Sequence, residues 1–86
     1  MYLHLGSDVS VKTDDIVGIF DMDNTTVSAK TRAFLKAAQK KGEICDITED
    51  LPKSFIVTSS VGKTCIYISS LATRTLLKRA NSENII

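Results

Sequence analysis

The stretch "IVGIFDMDNTTVS", residues 16–28, decides how this chain is read. An apolar run, Ile16-Val17-Gly18-Ile19-Phe20, ends in Asp21-Met22-Asp23-Asn24-Thr25. A run that is apolar on both faces predicts a strand at the centre of a sheet. The aspartates that close it are either a catalytic pair or the acidic approach to a helix, and the rest of the chain decides between the two.

As a catalytic pair they match the opening motif of the haloacid-dehalogenase phosphatases. Asp21 would attack phosphorus, Asp23 would protonate the leaving group, Thr25 would steady the phosphate and Mg²⁺ would neutralise its charge. That chemistry also needs a basic residue on a later strand and a further carboxylate pair, all carried by a parallel, doubly wound sheet. Each crossover of such a sheet takes about 30 residues. The chain has 86 residues, and the 45 that follow position 41 read as antiparallel hairpins. Its other acidic pairs, Asp14-Asp15 and Glu49-Asp50, fall on connections. A motif without its scaffold carries little weight. Asp21 and Asp23 are therefore expected to end a strand and open a helix, where anions suit the macrodipole. No enzyme is expected, and neither a cofactor nor a metal is implied.

Outward from this stretch the elements follow from local pattern. Residues 2–5 and 8–11 alternate in character around Gly6-Ser7, which predicts a tight hairpin. Residues 27–41 predict the main helix, with Val27, Thr31, Phe34, Leu35 and Ala38 on one apolar stripe. Thr25, Thr26 and Ser28 offer caps at its start, and Gly42 offers a stop at its end. Strand patterns resume at 43–47, 54–58 and 64–68, the last two joined by a loop of Ser59, Ser60, Val61 and Gly62. A shorter helix is expected over 70–80, capped by Ser69 or Ser70, with Ala72, Leu76, Leu77 and Ala80 facing inward. The fold class is α+β: a small antiparallel β-rich domain over residues 1–80, with one long central helix and a short C-terminal one. Residues 81–86 read as a flexible tail on which Ile85 and Ile86 could dock against a neighbour.

Composition narrows the function. Hydrophobic residues are 43% and charged residues 24%, as in ordinary globular proteins. No apolar run approaches 18 residues, so no membrane span is expected. The N-terminus shows no leader pattern, which points to the cytoplasm. Cys45 and Cys65 are too few for a disulfide framework and read as reduced core thiols, and His4 has no partner at metal-ligand spacing. "VGKT" at 61–64 lacks the upstream glycine of a phosphate loop.

The net charge of +1 hides a blockwise distribution. Residues 1–24 hold five aspartates against Lys12, whereas 27–41 hold Lys30, Arg32, Lys36, Lys40 and Lys41 with no acid. Residues 42–54 return to Glu43, Asp46, Glu49 and Asp50 against Lys53. The last third carries Lys63, Arg74, Lys78 and Arg79 against Glu83. A helix with five cations and no internal anion forgoes its own i,i+4 pairs, so its counter-charges are sought elsewhere in the fold, on a neighbouring subunit or on phosphates.

Read in order, "YLHLG" (2–6), "DIVGIFDMDNTTVSAKTRAFLKAAQKKGEI" (15–44), "LPKSFIVT" (51–58) and "IYISSLATRTLLKR" (66–79) resemble the bacterial extracellular matrix regulators, in their RemB branch. The resemblance covers about residues 1–80. It implies a non-enzymatic regulator built as a homo-oligomeric ring. For the sister RemA branch it implies binding to double-stranded DNA and transcriptional control of biofilm-matrix genes. With Gly6 and Gly42 aligned to the sister branch's glycines, the arginines used there around DNA fall at Asp15, Leu51 and Pro52, none of them basic. Lys53, Arg32 and Lys41 keep charge near comparable places and are the candidate DNA contacts. A ring that has lost DNA and recruits a protein partner is the alternative. Blockwise charge suggests how the ring closes: the acidic segments of one subunit meet the basic helix of the next, head to tail, with Asp21, Asp23, Lys36 and Lys40 at the contact.

Overall fold

A computed structural model of the chain describes residues 1–22, 29–48 and 50–83, with side chains through residue 80. Leu3 and Leu5 alternate with exposed Tyr2 and His4 along strand β1 (Tyr2–Gly6), which pairs antiparallel with β2 (Val9–Lys12). The turn lies one position later than the sequence suggests. Gly6 joins β1 at φ +112°, the register slips between His4 and Gly6, and Ser7 and Asp8 turn at φ +47° and +61°. Two consecutive positive φ values match the twist of a two-residue hairpin, and glycine at the slip accommodates the extra bend.

A 3₁₀ turn over Thr13–Asp15 leads into β3 (Ile16–Asp21). After helix α1 (Ala29–Lys40) come β4 (Ile44–Asp46), β5 (Ser54–Ser60), β6 (Lys63–Ser69) and helix α2 (Thr73–Glu83). The second sheet has the order β3-β5-β6-β4. β5 pairs antiparallel with both β3 and β6, but β4 pairs parallel with β6. β3 and β4 therefore point the same way at opposite edges, and α1 is the crossover that parallel strands require.

This corrects two expectations. β3 is an edge strand, not a central one. It is apolar on both faces because each face of the sheet is covered by a different layer. Ile16 and Ile19 pack towards the β1–β2 hairpin and α2, in a core of Leu3, Leu5, Val11, Ile56 and Leu76. On the other face Ala38 and Leu35 of α1 meet Phe55, Ile66, Ile44 and Ile68, and Phe20 stacks on Phe55 with ring centroids 5.0 Å apart. The segments after α1 are also not all hairpins. The connection 47–53 steps past the end of β6, so only β5–β6 is a hairpin. Its loop is Val61 and Gly62 alone, because the strands extend through Ser60 and from Lys63.

The helices are nearly equal, 12 and 11 residues, and α1 lies on one face of the sheet rather than at the centre. α1 ends as its sequence predicts: Gly42 takes φ +72°, its N–H donates to Gln39 O at 3.1 Å, and Glu43 N–H donates to Ala38 O at 3.0 Å. These are the two bonds of a Schellman stop. Phe34 departs from the expected stripe and stands exposed beside Phe20, while Val27 and the candidate caps Thr25, Thr26 and Ser28 lie outside the described residues. α2 starts at Thr73 and runs to Glu83; Leu76 is buried, Ala80 half-buried, and Ala72 and Leu77 point out. Ile85 and Ile86 lie outside the described residues.

Two fully buried serines fasten the layers. Ser69 Oγ donates to Leu5 O at 2.7 Å and accepts from Leu71 N–H at 3.0 Å; Ser54 Oγ, across the sheet from Ser69, donates to Leu71 O at 2.8 Å. Neither Ser69 nor Ser70 caps α2, which starts only at Thr73; Ser69 holds the approach to it.

Candidate nucleic-acid and subunit interface

Lys30, Arg32, Lys36 and Lys40 of α1 and Lys41 just after it all stand exposed, and among the described residues none forms an ion pair. Arg32 and Lys41 are separated by about 13 Å along the helix direction at 1.5 Å per residue. Lys53 belongs to the end of the sheet where β3 finishes and β5 begins: its N–H donates to Ser69 O and its carbonyl accepts from Met22 N–H, both at 2.9 Å. None of Lys53, Arg32 and Lys41 lines the clefts described below. Asp15 is half-buried at the end of the 3₁₀ turn, and Leu51 and Pro52 stand exposed before β5.

Of the residues expected at a subunit contact, Lys36 and Lys40 are exposed on α1 and Asp21 is half-buried at the end of β3, opposite Ser54. Asp23 lies outside the described residues. Beside them is a feature that charge patterning did not disclose. Val17, Phe20, Lys30, Thr31, Phe34, Phe55 and Val57 line an apolar hollow of about 380 Å³ between edge strand β3 and α1. Val17 is 67% and Phe34 46% exposed. The hollow depends on a bulge: Ile16 pairs with Thr58 and Gly18 with Val57, leaving Val17 without a partner across the ladder. A Cβ on Gly18 would come within 2.7 Å of the Phe20 ring, so glycine there lets Phe20 fold back over its own strand onto Phe55. The sequence signal was the glycine within an apolar run, which marks a bulge or a close approach.

A second cleft, of about 770 Å³, opens between β1 and α2. Arg74, Thr75, Lys78 and Arg79 line it from the helix, and Tyr2, His4 and Ser10 from the hairpin. Arg79 Nη1 donates to His4 O at 3.3 Å and lies 3.4 Å from His4 Nδ1. The positive charge of the last third hinted at these residues; their convergence on β1 depends on a pairing that local pattern does not encode.

The described thiols share the hairpin-facing side of the sheet. Cys45 pairs with Tyr67, two residues beyond Cys65 on β6. Burial, then the neighbouring Cys65 thiol, pushes the Cys45 thiol above its ordinary value; Tyr67 is raised by burial and by both thiols. Such groups stay protonated and weakly reactive. Asp46 is lowered by hydrogen bonds from the Thr48 hydroxyl and backbone N–H, which makes it a turn-forming carboxylate. Among the described residues no group of three metal-ligating side chains comes together, and no helix is long and apolar enough to cross a membrane.

The phosphatase motif finds no matching scaffold: β3 is an edge strand paired antiparallel, and Asp21 closes it against Ser54. A two-faced sheet carries a hairpin and one helix on one side and a cationic helix on the other, and it leaves basic and apolar surfaces exposed. The chain belongs to the RemA-like family, described as Extracellular matrix regulatory protein A-like, whose sequence model matches residues 2–80. It is similar to Extracellular matrix regulatory protein B of Bacillus subtilis (strain 168), with 42% identity over 80 residues, covering 93% of this chain and 90% of that relative.

Proposed function

We propose that this chain is a non-enzymatic cytoplasmic regulator that assembles into a closed homo-oligomeric ring and acts in transcriptional control of biofilm-matrix genes by holding double-stranded DNA. Membership of a family of matrix regulatory proteins supports the regulatory role. The observation that carries the assembly is the exposed hollow of Val17, Phe20 and Phe34 beside the cations of α1, which form no ion pair among the described residues. An apolar patch rimmed by charge marks a contact surface, and a second copy supplies the counter-charge from its acidic segments. The contact is head to tail, with Lys36 and Lys40 meeting the carboxylate-rich stretches around Asp21, Asp23 and residues 43–50 of the next subunit. Around such a ring even a few cations per subunit, Lys53, Arg32 and Lys41 among them, add through avidity.

Light scattering with absorbance at 260 nm tests both parts. The expected result is a discrete oligomer whose mass falls at high salt and in a Lys36→Glu/Lys40→Glu variant, with affinity for duplex DNA that declines steeply with salt in a mobility-shift titration. An unchanged mass in both cases rejects the charged contact, and no shift at low salt rejects DNA binding. A second reading, a ring that recruits a protein, is favoured by one observation: Leu51 is 73% exposed next to Pro52, where cations would be needed for DNA. Co-purification of a protein in place of nucleic acid, abolished by Leu51→Ser, supports that reading.

A further inference from the structure

We infer that the cleft between β1 and α2 is a nucleotide-binding site, taking phosphate on Arg74, Lys78 and Arg79 and a base on Tyr2. It lies apart from the α1 and Lys53 surfaces of the proposed function and uses none of their residues.

Four observations converge on it. Its volume, about 770 Å³, falls within the range of small-ligand sites, roughly 300–1,000 Å³. No carboxylate lines it, and among the described residues none of its three cations has an acidic partner to neutralise its positive charge. The cations occupy one side of α2: Arg74 and Lys78 are four apart, as are Thr75 and Arg79, and residues at that spacing are neighbours on a helix. Arg79 is held in place on the strand side, where Nη1 bonds to His4 O, and its other guanidinium N–H groups have no described partner. A planar cation with spare donors suits phosphate oxygens.

The hairpin wall supplies the rest. Tyr2 is 58% exposed and lines the cleft, presenting an aromatic surface at its mouth. Aromatic stacking plus cations is the combination by which proteins hold nucleotides and unpaired strands. Ser10, the cross-strand partner of His4, and Thr75 add hydroxyls able to donate to phosphate or sugar oxygens. A base-bearing phosphate can come from a free nucleotide or from a strand of nucleic acid, and both have the same recognisable chemistry.

The test is anisotropy at 50 mM salt with three probes: a fluorescent ATP analogue, a labelled single-stranded 20-mer of mixed sequence, and the corresponding duplex. Wild type is expected to bind the ATP analogue, the single strand, or both. Arg74→Ala/Lys78→Ala, whose side chains make no described hydrogen bond, is expected to weaken binding about tenfold or more and to lower the salt slope by about one per lost phosphate contact. Tyr2→Ala is expected to weaken it several-fold while Tyr2→Phe retains it. Binding of the ATP analogue assigns the site to a free nucleotide; binding of the single strand alone assigns it to nucleic acid. The inference is overturned if neither probe binds, if Arg74→Ala/Lys78→Ala binds like wild type, if Tyr2→Ala binds like Tyr2→Phe, or if the loss follows Lys53→Ala and Arg32→Ala/Lys41→Ala instead. That last result would leave the proposed DNA surface intact while removing this site.

Discussion

At the scale of single residues the least comfortable position is Val61. It is fully exposed and takes φ +50° in a two-residue turn. A β-branched side chain is poorly tolerated there, whereas asparagine adopts that region readily and Asn-Gly is a favoured hairpin turn. Val61→Asn is expected to raise stability by about 0.5–1 kcal/mol, read as a higher urea midpoint with an unchanged slope. No rise would mean that the turn is held open by something other than backbone preference. Gly18 shows the opposite economy, a missing side chain whose space is filled by the Phe20 ring. Gly42 was legible as a helix stop because a C′ glycine after two lysines has one common meaning. Gly18 was not, because a glycine in an apolar run says that something approaches closely without saying what.

At the scale of elements, the serine clasp decides how the hairpin and α2 sit on the sheet. Ser69→Ala would leave Leu5 O and Leu71 N–H without their buried partner. The expected cost is about 1–3 kcal/mol, larger than for an exposed serine, and equilibrium denaturation measures it. Ser69→Thr tests geometry instead of chemistry, since it keeps the hydroxyl but adds a methyl group where the residue is fully buried. The existence of most elements was readable from periodicity, and α1 with its glycine stop came through well. Their neighbours were not. The parallel pairing of β4 with β6 joins Ile44 to Ile66, and three residues of strand carry too little pattern to announce a partner or a direction. The edge position of β3 was missed for a related reason: apolar residues on both faces report layers above and below, not strands on either side.

At the scale of the whole molecule, two surfaces ask to be covered, and they differ in kind. The Val17–Phe20–Phe34 hollow is apolar and abuts a strand edge that its bulge keeps from indiscriminate pairing. Phe34→Ser is therefore expected to lower the assembled mass in light scattering while leaving the monomer folded by circular dichroism, since Phe34 is already 46% exposed. An unchanged mass would move the contact elsewhere. The charge blocks were plain in the sequence, but the convergence of α2's cations on His4 was not, because residues 75 positions apart meet there. The clasp between Ser69 and Leu5 spans 64 positions and has a consequence for synthesis. Strand β1 is secured by a hydroxyl 64 positions later in the chain, so Leu3 and Leu5 emerge from the ribosome long before their cover exists. Closing so distant a contact is slow. The N-terminal hairpin is thus the part of a nascent subunit most exposed to premature association, and a chain interrupted before residue 69 would lack the means to hold it.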